Sequence, residues 1–131
     1  MRLSFANVAT ASAALCLLLA LAWALAPNLL LSLWDVEFSH SAAFVARRGA
    51  ALFMGVSVIL FLARKAEPSV SRNAIAGGVS FACVCLAALG LFELLSGNAG
   101  PGILSAVVTE VVIAIALVLV SKNTNALEKK G

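Results

Sequence analysis

The sequence predicts an all-α fold: a four-helix transmembrane bundle with a short interfacial helix after the first span, forming one integral membrane domain over residues 1–131. Three observations predict it. First, 63% of the residues are hydrophobic and 11% are charged, whereas a soluble domain carries about 25% charged residues. So few charges cannot cover a water-facing surface, so lipid must replace water on most sides. Second, the mean hydropathy is +1.08. Third, the apolar residues gather into four runs, each close to the roughly 20 residues that cross a bilayer.

The first span is expected over residues 6–26, through "TASAALCLLLALAWALA". A basic residue, an apolar run and "ALA" resemble a secretory signal, but Pro27 directly after that site is a poor cleavage context. It reads as a retained span. Pro27 suits the first turn of a short helix, "PNLLLSLW", which ends on the interfacial residue type tryptophan and is too short to cross. "DVEFSHS" follows as a polar connection, with Ser39 or Ser41 placed to cap the second span, 40–64. In "KAEPSVS", Pro68 stops the helix and Ser69 or Ser71 can cap the third span, 72–95. "SGNAGPG" forms the next turn, with Asn98 as a candidate cap and Pro101 near the start of the fourth span, 102–120. A frayed polar tail is expected from Ser121. The two short turns predict that spans two, three and four are antiparallel neighbours.

Lysine and arginine set the expected orientation. Arg2, Arg64, Lys65, Arg72, Lys122, Lys129 and Lys130 fall on one side, and only Arg47 and Arg48 on the other. Seven against two places both termini in the cytoplasm. The basic balance therefore reflects membrane orientation and not nucleic-acid binding.

Ionisable residues inside the spans are the sharpest functional signal. Arg47 and Arg48 lie roughly 10–12 Å along the second helix at 1.5 Å per residue, and Glu110 lies at a comparable depth of roughly 13 Å in the fourth. Glu93 sits near the same end of the third. An unpaired charge there costs about 2.5–3.5 kcal/mol or more, so such groups normally face the bundle and pair. Small residues accompany them at helical spacing: Arg47, Ala51 and Gly55; Gly78, Ala82, Cys85, Leu89 and Glu93; Gly102, Ala106, Glu110 and Ala114. Small residues let helices approach in lipid, so these stripes are expected to be contact faces. Arg47 is the expected partner of Glu110, and Arg48 is placed to meet Glu93 or to snorkel toward the interface.

This candidate polar cluster of Arg47, Arg48, Glu93 and Glu110 has two readings. One is structural: a buried ion pair that fixes helix register. The other is functional: a pocket that binds a substrate or ion. An arginine beside Glu110 would make it a poor proton carrier, because a neighbouring positive charge favours the ionised carboxylate.

Other residues carry less. Cys16, Cys83 and Cys85 lie in apolar runs, and two cysteines two apart on a helix point to different faces, so neither a metal nor a cofactor is expected. His40 is a candidate pH sensor, with a solvated or capping role as the plainer account. No Ser–His–acid set, HExxH or GxxxxGK[ST] occurs, so no catalytic residue and no enzyme activity are expected.

The plan of a span, a surface helix after "AP", then "ARRGAALFMGVSVILFLARKA" and "SRNAIAGG", resembles small uncharacterised four-span bacterial membrane proteins and is distantly similar to DoxX-like proteins. The resemblance implies a bacterial inner-membrane setting and supplies no catalytic residues. The leading functional expectation is a non-catalytic accessory or assembly subunit of a membrane complex, with the lipid bilayer and a membrane-protein partner or second copy as its contacts. The alternative is a small transporter or ligand-binding protein that uses the Arg/Glu cluster.

Overall fold

A computed structural model describes the backbone of residues 4–128 and the side chains of residues 4–122. Arg2, Lys129 and Lys130, which enter the orientation argument, lie outside the described residues. Each helix begins or ends for a local reason. Ser4 caps α1 (Phe5–Leu25), its side chain accepting from the Asn7 amide at 3.2 Å. Pro27 ends α1, because the residue before a proline avoids helical geometry, and Ala26 sits at φ −139°, ψ 58°. The same proline opens α2 (Pro27–Leu33), where its missing N–H costs nothing.

Ser39 and Ser69 resolve the two capping alternatives. Ser39 accepts from the Ala42 amide at 3.0 Å at the start of α3 (His40–Ala63). Ser69 accepts from the Arg72 amide at 3.2 Å at the start of α4 (Val70–Leu95). Asn98 does not cap the last helix. Gly100 holds the cap position of a 3-10 turn, Pro101–Ile103, with no side-chain bond, and that turn leads into α5 (Leu104–Glu128). Helix also continues through the segment expected to fray, as far as Glu128.

Four segments, Phe5–Leu25, His40–Ala63, Val70–Leu95 and Pro101–Lys122, are long and apolar enough to cross a membrane. At about 1.5 Å per residue each exceeds the roughly 30 Å hydrocarbon core. The architecture is all-α and that of a multi-pass membrane protein.

The helices pack as two pairs, α1 on α3 and α4 on α5, joined where α1 meets α5. This corrects the expected row of neighbours: α4 and α5 are intimate, but α3 and α4 touch only slightly. A short connection brings two helix ends together without forcing the helices to pack along their length. Polar bonds hold α3 to α1 instead. The buried Ser57 hydroxyl donates to the Ala13 carbonyl at 2.7 Å, and Arg47 Nε donates to the Ala24 carbonyl at 3.4 Å.

Several contacts define the two ends of the bundle. At one, the Arg72 guanidinium lies 4.6 Å from the centre of the Phe5 ring, and Ser121 donates to Asn73 Oδ1 at 2.7 Å. Phe5, Val8, Ala9, Ala76, Leu117 and Val120 form an apolar core there. Arg64, Lys65 and Lys122 belong to this basic end. At the other, distal end, the Gly100 amide donates to the Trp34 carbonyl at 2.6 Å, and Trp34 meets Trp23 edge-on at 5.2 Å. These contacts fold α2 back over the bundle. Glycine is required at 102, where an added Cβ would collide with the Leu33 carbonyl. It is also required at 90, where a Cβ would lie 2.8 Å from Val107 Cγ2.

Candidate functional site

The charged side chains of the spans do not meet as expected. Among the described residues, neither Arg47 nor Arg48 comes within 4.0 Å of the carboxylate of Glu93 or Glu110. The expected Arg47–Glu110 pair is therefore replaced by other arrangements, each with its own cause. Arg47 is exposed and reaches the Ala24 carbonyl in the last turn of α1. Helix carbonyls in a last turn lack intrahelical partners and carry the negative end of the dipole, so a guanidinium is favoured there. Arg48, also exposed, lies 5.9 Å from the centre of the Phe44 ring, one turn toward the distal end. Of its two expected settings, contact with Glu93 is not formed.

Glu93 closes the turn after α4. Its carboxylate accepts from Asn98 Nδ2 at 2.8 Å, while its backbone carbonyl accepts from the amides of Asn98 and Ala99. A residue read as part of an intramembrane cluster is thus a turn-forming residue.

Glu110 stands apart. It is half-buried on α5 and makes no hydrogen bond or ion pair with a described residue. It lines a cavity of about 230 Å³ to which all five α-helices or their capping residues contribute. Leu15, Cys16 and Leu19 come from α1; Leu30, Leu33 and the capping Trp34 from α2; Phe53 from α3; Cys83 and Leu86 from α4. Ser105, Ala106, Thr109, Glu110 and Ile113 supply the α5 wall. The lining is therefore mostly apolar; its one carboxyl and two hydroxyls are gathered on a single helix, while the Trp34 indole and the Cys16 and Cys83 thiols lie on the other walls.

The hydroxyls have a fixed polarity. Ser105 donates its proton to the Gly102 carbonyl at 2.8 Å, and Thr109 donates to the Ser105 carbonyl at 2.8 Å. A hydroxyl has one proton to donate and two lone pairs. What these groups can offer a neighbour is acceptor capacity. Together with the Glu110 carboxyl, the α5 wall is rich in acceptors.

No family model, curated protein or solved structure matches this chain. The site must be read from its own chemistry. No group of three or more His, Cys, Asp or Glu residues able to hold a metal ion occurs among the described residues. Cys83 faces the cavity while Cys85 is exposed, as two residues two apart on a helix should be.

The expected small-residue faces divide the same way. Through the 3-10 turn and along α5, Gly102, Ala106 and Glu110 are partly buried and Ala114 is buried, so this stripe faces the bundle. On α3, Arg47, Ala51 and Gly55 are exposed, and the buried residues are Ala43, Ala50, Ser57, Leu60 and Ala63. On α4, Gly78, Ala82, Cys85 and Leu89 are likewise exposed, away from Arg72, Ala76, Ser80, Ala87 and Gly90. Added Cβ atoms at Gly55, Gly77 and Gly78 would meet nothing within 4 Å. These two faces look outward. Sequence spacing identified the stripes but not their direction, because both faces of an intramembrane helix are apolar. Nor did it reveal the cavity, which depends on α2 folding back beside α1 and α3.

Proposed function

We propose that this chain is a non-catalytic accessory or assembly subunit of a membrane complex, seated in the bacterial inner membrane with both termini in the cytoplasm. The observation that carries the reading is the outward direction of the small-residue faces on α3 and α4. Lipid tails are as apolar as leucine, so helices associate in a bilayer through close backbone approach and polar contacts, which small residues permit. Gly55 and Gly77–Gly78 contribute nothing to packing within the chain, yet each lowers helix stability relative to alanine. A second transmembrane helix docked on these faces gives them a role. The exposed Arg47 on the α3 face adds a donor-rich group to the same surface. The cytoplasmic placement of the termini is supported by the basic residues at the end holding Phe5 and Arg72 and by Asp35 and Glu37 at the other.

Isolation from native membranes in mild detergent, followed by native mass spectrometry, tests the reading. The expected result is a stoichiometric membrane-protein partner or a second copy. Recovery of the monomer alone, with no cross-linked product from cysteines placed at Ala51 or Ala82, would overturn it.

A further inference from the structure

We propose that the cavity walled by Glu110 is a binding site for a small apolar amine in its protonated, ammonium form. The proposal is independent of the assembly role, which concerns the opposite sides of α3 and α4. Three features of the cavity choose the ligand. Its lining is mostly aliphatic and aromatic, so the body of the ligand is apolar. Its volume of about 230 Å³ lies just below the roughly 300–1,000 Å³ typical of sites for drug-sized molecules, so the ligand is small.

The third feature is polarity. The Glu110 side chain makes no hydrogen bond or ion pair with a described residue, and the neighbouring Ser105 and Thr109 hydroxyls already donate to carbonyls near the start of that helix. What remains on that wall accepts hydrogen bonds. A carboxylate or phosphate ligand would be repelled by an ionised Glu110, and the lining offers it only the Trp34 indole N–H and the Cys16 and Cys83 thiols as donors on the other walls. An ammonium group brings donors and the complementary charge. The ring of Trp34 on the α2 side can add a cation–π contact. The arginines of α3 do not compete for the site: Arg47 is engaged at the end of α1, and Arg48 lies beside Phe44.

Calorimetric titration of the protein in phosphatidylcholine nanodiscs, with empty nanodiscs subtracted, tests this. Phenethylammonium and its neutral counterpart 2-phenylethanol serve as probes of matched shape. The expected result is saturable binding of the ammonium, at least tenfold tighter than the alcohol. Glu110→Gln should reduce the ammonium preference to below threefold. Thr109→Val, which keeps the shape and removes the lone pairs, should weaken the ammonium a few-fold. Equal affinity for the two probes, no saturable binding, or an undiminished preference in Glu110→Gln would each overturn the proposal. If Glu110→Gln does not fold, the wild-type probe ratio and Thr109→Val decide: a tenfold ratio reduced by Thr109→Val supports the site, and any other result overturns it.

Discussion

Two glycines on α4 receive the same substitution with opposite consequences. Gly78→Leu adds a side chain where a Cβ would meet nothing within 4 Å, on the face directed away from the bundle. Within the monomer the change removes a glycine from a helix interior, a gain of about 0.5–1 kcal/mol. Gly90→Leu adds the same side chain where even the Cβ would be 2.8 Å from Val107 Cγ2 and close to Ile103. Overpacking of that kind costs about 1–3 kcal/mol or more, which exceeds the propensity gain. Thermal unfolding in detergent should therefore show Gly78→Leu at or above the wild-type midpoint and Gly90→Leu below it. Association should order differently. If a second helix docks on the Gly78 face, the leucine holds the backbones apart, and a loss of about 1–3 kcal/mol weakens the complex roughly 5- to 150-fold. Native mass spectrometry or sedimentation in matched detergent reads that loss. Gly78→Leu lowering the midpoint as far as Gly90→Leu would mean the face is packed within the monomer. Unchanged association would mean it is not an interface. Either result refutes the reasoning.

Three further perturbations test individual interactions. Ser57→Ala removes the bond from α3 to the Ala13 carbonyl; hydrogen bonds between membrane helices average about 0.6 kcal/mol with a maximum near 1.7, so a loss in that range is expected by steric trapping in bicelles. Arg72 is buried with only one guanidinium nitrogen, Nη1, bonded, to the Ala66 carbonyl at 3.2 Å, while Nε and Nη2 lack partners. Arg72→Met keeps much of the contact with Phe5 and removes unpaired donors, so it should be nearly neutral or stabilising, whereas Arg72→Ala leaves a void beside Phe5 and should destabilise. Arg72→Met proving as costly as Arg72→Ala would contradict this. Finally, Arg47→Gln and Glu110→Gln should act additively on stability, with coupling below about 0.5 kcal/mol, because the two groups touch different partners. A larger coupling in the double-mutant cycle would restore the ion pair that the sequence suggested.

The helices were legible because their signals are local. Ser39 and Ser69 cap, Pro27 divides α1 from α2, and each apolar run has the length of a span. Pairing between helices was less legible. In a soluble bundle, the polar face of a helix declares which side is inside. Here both sides are apolar, so Ala51–Gly55 and Ala106–Glu110 look alike in sequence although one stripe faces out and the other in. The charge argument failed for a related reason. Depth along a helix fixes which residues share a layer, but not their azimuth. Long side chains also have alternatives to one another: Arg47 finds a helix end, and Glu93 finds Asn98 within its own turn.

Those alternatives explain why the Glu110 cavity is the informative remainder. Arg47 is accommodated by a backbone carbonyl of α1 and Glu93 by the Asn98 side chain in its own turn, and Arg48 sits beside an aromatic ring at an exposed position. Glu110 has none of these options. One helical turn away toward the distal end, the α5 wall offers Ala106 and no donor, and the Ser105 and Thr109 hydroxyl protons are already committed. Keeping an ionisable group at such a position costs a few kcal/mol in a membrane, and a well-packed apolar residue would remove that cost together with the cavity. A structural role would require a hydrogen-bond or ion-pair partner that Glu110 lacks among the described residues. A ligand that brings its own donors supplies the missing half of the interaction, so the same unsatisfied carboxyl that weakens the empty bundle would make the occupied one selective for cations.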